Sequence, residues 1–179
     1  QNSGVAYVAD DYGNSFKTAA ALGGTITGYT TDVARWGVIS GSGARNDVDM
    51  FRFDVARGGG IDLAVSSWTR VHVSGGSGPP YDQPPNPMLA IAARLYDSAG
   101  RLVAVSDDPT RVDAAISVSA LQGGTYYLAL DGVGWGDPKS ATPTGYTEYG
   151  SLGQYMVKGS YTAVGAPAAV LRTSSTAVT

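Results

Sequence analysis

The sequence predicts an all-β domain: an antiparallel β-sandwich, jelly-roll-like, of eight or nine strands with at most one short N-terminal helix. Three observations predict it. Short apolar runs recur along the chain, several alternating with polar residues at the two-residue period of a half-buried strand. Glycine, 25 of 179 residues, falls between those runs and suits turns, without the three-residue period of collagen. The acids are lopsided too. Glu148 is the only glutamate and the other 14 are aspartates, which favour turns, caps and oxygen-rich metal sites over helix surfaces.

Taken in order, residues 1–24 show no alternation and are expected as an N-terminal segment packed on the sandwich. Asp10-Asp11-Tyr12-Gly13-Asn14 reads as a polar turn, and Ser15 to Leu22 is the one place for a short helix. Strands begin at Thr25, and the sandwich is expected over residues 25–165. Val33 to Ile39 makes a strand ending in Ser40-Gly41-Ser42-Gly43. In Val48 to Val55, Phe51, Phe53 and Val55 face one way while Met50, Arg52 and Asp54 face the other. Gly58-Gly59-Gly60 turns the chain into Ile61, Leu63 and Val65, with Asp62, Ala64 and Ser66 opposite. Residues 74–88 are rich in proline, which excludes a central strand, and read as one long irregular loop. Leu89 to Tyr96, the turn Asp97-Ser98-Ala99-Gly100 and Leu102 to Val105 close a hairpin. Ile116 and Val118 mark a short strand, and Tyr126, Leu128 and Leu130 line one face of the next. A glycine-rich loop from Asp131 to Gly153 leads to the last strand, with Tyr155, Val157 and Tyr161 on one face. Residues 166–179, rich in Ala, Ser and Thr, read as a flexible tail. A chain opening on Gln1 reads as a mature fragment or an excised domain.

Composition removes several functions. With 43% hydrophobic and 15% charged residues, the chain is folded rather than disordered. A net charge of -3 and no basic cluster argue against nucleic acid as a partner. No apolar run is long enough for a membrane helix. There is no cysteine, so disulfides, zinc-thiolate sites and thiol nucleophiles drop out. A Ser-His-Asp triad would have to use His72, the only histidine, and no Gly-x-Ser-x-Gly elbow supports one. Metalloprotease chemistry would need several clustered histidines. Paired carboxylates remain available in number, but nothing marks a raised-pKa acid in a cleft. No catalytic residue is assigned.

Four segments in order resemble the bacterial pre-peptidase C-terminal domain and, more distantly, the collagen-binding domains of clostridial collagenases. They are Asp10-Asp11-Tyr12-Gly13-Asn14-Ser15-Phe16 followed by Ala19 and Ala20; Asn46-Asp47-Val48-Asp49-Met50-Phe51-Arg52-Phe53; Leu95-Tyr96-Asp97-Ser98-Ala99-Gly100; and Leu121 to Leu128 continuing to Tyr146 to Tyr155. Together they span about residues 10 to 160. The Pro-rich insertion at 74–88 and the tail depart from that pattern. The resemblance implies a secreted β-sandwich attached to a peptidase or other hydrolase, and the chain is expected to be monomeric. In that setting it binds insoluble substrate or serves secretion and maturation.

Calcium asks for six to eight oxygens. Asp10, Asp11 and Asn14 offer oxygens within one turn, and Asp47 and Asp49, two apart at a strand entry, leave it on the same face. The resemblance implies that these two groups together hold calcium, pinning the N-terminal segment to the sandwich. The alternative is structural: Asp11 or Asn14 caps the short helix and Asp47-Val48-Asp49 is a solvated strand edge. Asp131 and Asp137, flanking Gly132 to Gly136, are a weaker second pair.

The chain has 11 tyrosines and three tryptophans but only three phenylalanines, so some rings are expected to keep a wet polar edge. Trp135, Tyr146, Tyr149 and Tyr155 are the candidates for substrate binding, with Trp68 and Tyr81 a second patch. The function expected is a non-catalytic accessory domain of a secreted peptidase, with its parent catalytic domain and a protein substrate as partners. The alternative is a carbohydrate-binding module that docks on a polysaccharide surface.

Overall fold

Along Val48–Val55 burial alternates as the residue types do, with Phe51, Phe53 and Val55 buried and Arg52 and Asp54 exposed. The same two-residue rhythm places the strands that follow. The computed structural model describes residues 10–40, 47–67, 71–73, 81–83, 88–108 and 111–164. Its strands are β1 (Ala20–Ala21), β2 (Thr25–Thr27), β3 (Thr30–Ile39), β4 (Val48–Val55), β5 (Ile61–Ser67) and β6 (Val71–Val73). They continue with β7 (Tyr81–Gln83), β8 (Ile91–Asp97), β9 (Leu102–Ser106), β10 (Ala114–Val118), β11 (Gly124–Gly132) and β12 (Gly153–Thr162).

Two five-stranded sheets form the sandwich, ordered β1-β4-β11-β8-β9 and β10-β5-β12-β3-β2, and β6 pairs with β7 apart from them. Setting aside the short edge strands β1 and β2, the pairing nests: β3 with β12, β4 with β11, β5 with β10, β8 with β9. First with last and second with second-last, split over two sheets, is a jelly roll. The first sheet buries Phe51, Phe53, Ile91, Leu95, Leu128 and Leu130 against Val33, Leu63, Val65, Ile116 and Val157 of the second. Tyr126 also faces inward, and its hydroxyl donates to the Gln122 carbonyl at 2.8 Å, closing a tyrosine corner.

Two expectations need correction, and the one short helix that the sequence allowed at Ser15 to Leu22 does not form. The Thr18 N–H donates to the Ser15 carbonyl at 3.0 Å for a single turn, and the chain then joins β4 as the parallel strand β1, with the Leu22 N–H on the Arg52 carbonyl at 2.9 Å. A segment that short cannot nucleate a helix alone, whereas the β4 edge offers ready backbone partners. The strand count is ten in the sandwich rather than eight or nine, because β1 and β2 were too short to show a period. The stretch read as irregular contains β7, its His72↔Asp82 register fixing a small hairpin with β6. The prolines flank Tyr81–Gln83 and leave its N–H groups free for the ladder. Residues 74–80 and 84–87 lie outside the described residues, as do Trp68 and the tail from 165 onward.

Registers gather several loops at one end of the sandwich. Val48 pairs with Asp131, Ile91 with Gly132 and Ile39 with Gly153. The strand entry Asp47-Val48-Asp49 and the 133–152 loop therefore share that end.

Candidate functional site

Asp49 stands two residues before Phe51 and shares its inward face, so its carboxylate is wholly buried, 0% exposed. The Tyr155 hydroxyl, from the central strand β12, donates to Asp49 Oδ2 at 2.5 Å. Tyr155 passes over Gly37 of β3, where any side chain would collide with its ring. Burial pushes Asp49 up to about 8 against the lowering effect of the Tyr155 bond, and Asp11, Asp47 and Asp10 push the same way as burial. Burial, then Asp49 itself, lifts the Tyr155 hydroxyl above its ordinary range.

Asp47 is buried as well, and its Oδ2 accepts the Ser40 N–H. Asp10 arrives from the N-terminal segment, taking the Tyr12 N–H on Oδ1 and the Asn14 amide on Oδ2, each at 3.2 Å. Asn14 Oδ1 in turn accepts the Val48 N–H at 3.0 Å, so Asn14 stitches the Asp10 turn to the strand entry. Asp11 lies to one side, its Oδ1 accepting the Val38 N–H at 3.3 Å, and burial raises its pKa.

Carboxylate oxygens of Asp10, Asp47 and Asp49 fall within 4.8 Å of one another. The Oδ1 atoms of Asp47 and Asp49 are buried without a hydrogen-bond partner among the described residues. Orphaned acceptors are costly in a dry environment, and two beside a third carboxylate make an oxygen-only donor set suited to a hard cation. The residues present could hold such an ion. Asn14 and Asp11, by contrast, spend their oxygens on backbone N–H groups. The structural alternative does not survive in its stated form: Asp47 and Asp49 are buried rather than a solvated edge, and no helix stands at Ser15 for Asp11 or Asn14 to cap.

The second acidic pair is engaged with other partners. Asp131 is bound to Arg94 at 3.3 Å, and Arg94 also holds Asp107 at 3.0 Å. Burial raises the Asp131 pKa even so. Asp137 spends its Oδ1 on the Lys139 N–H at 3.2 Å.

Aromatic residues separate into two groups. Trp135 and Tyr146 exchange backbone hydrogen bonds at 2.9 and 2.8 Å across the 133–152 loop. Gly145 permits the approach: its φ is +66°, and a side chain there would strike the Trp135 carbonyl. Trp135, Tyr146 and Tyr149 are 46%, 39% and 78% exposed. Tyr155 belongs with the core, not with them. Fully buried on Asp49, it has no face for a ligand, which overturns its place among the substrate-binding candidates. Of the second patch, Trp68 lies outside the described residues and Tyr81 is placed only as a member of β7.

No protein-family model and no curated protein sequence matches the chain. Among solved structures, the 1.0 Å crystal structure of a pre-peptidase C-terminal domain of collagenase from Bacillus anthracis is similar. The two are 15% identical, the match covers 81% of this chain and 97% of that chain, and the TM-score is 0.46.

The residue that sequence reasoning misplaced most was Tyr155. Its signal was present: an inward-facing tyrosine, in line with Val157 and Tyr161, needs a partner for its hydroxyl. Ser151 was missed outright. Wholly buried, it accepts the Ala90 N–H at 2.8 Å and donates to the Ala90 carbonyl at 2.9 Å, anchoring the aromatic loop to the start of β8.

Proposed function

We propose that this chain is a non-catalytic accessory domain of a secreted bacterial peptidase, one that holds calcium and binds protein substrate or assists secretion and maturation. The single observation that carries the calcium reading is the pair of buried, partnerless oxygens on Asp47 and Asp49 beside Asp10. Asp10, Asp47 and Asp49 would hold the ion, while Asn14 and Asp11 position the N-terminal segment against β4 and β3. The ion would supply charge neutralisation and a fastening between two chain segments.

Asp49, the carboxylate with the largest upward shift, is closed in by Tyr155 and the core. A substrate has no approach to it, which supports a structural carboxylate rather than a catalytic one. The four resembling segments and the jelly-roll winding support the accessory role. Among the described residues no helix is long and apolar enough to cross a membrane, which is compatible with an extracellular domain.

Calorimetric titration with calcium chloride tests the first part. Saturable binding that disappears in Asp49→Asn and Asp47→Asn is expected, and no binding by the wild type would sink the calcium reading. Retention on insoluble collagen or casein tests the second. Loss of retention in Trp135→Ala and Tyr149→Ala supports substrate binding; absence of retention leaves secretion and maturation, and turnover by the chain alone overturns the accessory role.

A further inference from the structure

The second sheet turns a row of side chains outward that the proposed function does not use. Register places Trp36, Met156 and Ser66 side by side on β3, β12 and β5. The next row is Ala34, Lys158, Ala64 and Ala115, and the one beyond it Asp32, Ser160, Asp62 and Ser117. Apart from Trp36, Met156 and Lys158, these outward chains are short, so the indole rises from a flat surface. Trp36 is 47% exposed, and its strand is paired there with β12.

Beside it runs a groove of about 240 Å³ lined by Asp11, Trp36, Gly37, Val38 and Gln154. The N-terminal segment holds its wall in place. The Tyr12 hydroxyl donates to the Trp36 carbonyl at 2.8 Å, and Asp11 receives the Val38 N–H. Asp11 lends the groove a carboxylate, and the Gln154 amide carries both donors and an acceptor.

An indole, a carboxylate and an amide around a shallow groove match one chemistry well. The C–H face of a pyranose ring stacks on the indole, and adjacent hydroxyls bond to the carboxylate and the amide. We propose that this groove binds a pyranose residue of a neutral or N-acetylated polysaccharide. Asp11, Asp32 and Asp62 against the single Lys158 make the surface unfavourable to acidic sugars. A polypeptide suits it less: at the groove the outer edge of β3 is occupied by Asp11 on the Val38 N–H and the Tyr12 hydroxyl on the Trp36 carbonyl, and the short outward side chains offer no row of pockets.

Isothermal titration calorimetry with cellohexaose, the hexamer of N-acetylglucosamine and mannohexaose, tests the assignment. A saturable heat of binding with at least one sugar is expected. It should be lost in Trp36→Ala, weaken about tenfold in Gln154→Ala, as removal of one hydrogen bond implies, and persist in Trp135→Ala. Trp36→Phe, which keeps a ring face, should retain part of the affinity and so separate lost stacking from lost folding. No saturable heat with any of the three sugars, binding undiminished in Trp36→Ala, or a Trp36-dependent response to gelatin peptide alone would overturn it. Calcium binding and retention on protein are separate readouts, so failure here and failure of the accessory-domain reading are distinguishable.

Discussion

Two regions at the same end of the sandwich break the usual sorting of residues in opposite directions. The carboxylate cluster draws charge inward, with Asp47 and Asp49 buried and Asp49 bonded to a core tyrosine. The 133–152 loop pushes Trp135, Tyr146 and Tyr149 outward. Both arrangements cost free energy in isolation: the first by desolvation, the second by apolar surface left in water. They differ in what would recover it: a cation or a proton for the buried acids, and a covering surface for the exposed rings.

The largest effect expected of any single change lies in the buried region. Gly37→Ala would drive a methyl into the Tyr155 ring, which Asp49 holds at its far end. A loss of about 3 kcal/mol in urea unfolding is expected, the upper part of the ordinary overpacking range. A loss well under about 1 kcal/mol would mean that Tyr155 moves freely and the cluster is not rigid.

Calcium comes next. At one hundred times its dissociation constant the ion should contribute about 2.7 kcal/mol and raise the melting temperature by about 5–10 °C, with no gain in Asp49→Asn. The pH dependence carries the same comparison into chelated protein. The Asp49 pKa is about 8 in the fold, above its ordinary value of 3.8, so its contribution is complete below that ordinary value and is lost as pH rises toward 8. The melting temperature in chelator should therefore fall between pH 5 and pH 8, and calcium should flatten or reverse the slope. A flat profile in chelator would mean that Asp49 is not the proton carrier.

Tyr155→Phe keeps the ring and removes the hydroxyl, leaving Asp49 without a donor among the described residues. A cost of about 1–2 kcal/mol is expected at neutral pH. Smallest of all, Trp135→Ala and Tyr149→Ala should alter stability by less than about 0.5 kcal/mol, as exposed positions do, while abolishing retention on insoluble protein. A large loss of stability in either would show that the loop aromatics hold the fold together and would erase the contrast with the cluster.

Legibility followed the range of the interactions. Strands β4, β5, β11 and β12 are long enough to show alternation, and their inward residues could be named from the sequence. The turn Asp97 to Gly100 was equally plain, its Asp97 carboxylate bonded to the Ala99 and Arg101 N–H groups at 2.9 and 3.0 Å. The failures were short or context-dependent. Ala20–Ala21 carries no period, and only the open edge of β4 makes it a strand. The Asp10 turn and Asp47-Val48-Asp49 were grouped through resemblance, and nothing local told that Asp49 would be buried while Asp11 would turn aside to Val38. Tyr155 was misassigned because its neighbours in sequence, Tyr146 and Tyr149, are surface residues, whereas its alternation partners, Val157 and Tyr161, belong to the core.

By itself the sequence determined that this chain is a β-sandwich, which face of each long strand is apolar, and that histidine and cysteine chemistry is scarce or absent. These are local properties, set by a two-residue period and by composition. Only the tertiary structure decided that Tyr155 meets Asp49 across 106 positions and that Asn14 reaches Val48 across 34. It also decided that Trp36 stands beside Gln154 rather than in the core. Such meetings follow from the register between strands and from which acids the closing sheets shut away from water, and neither is encoded in any one segment.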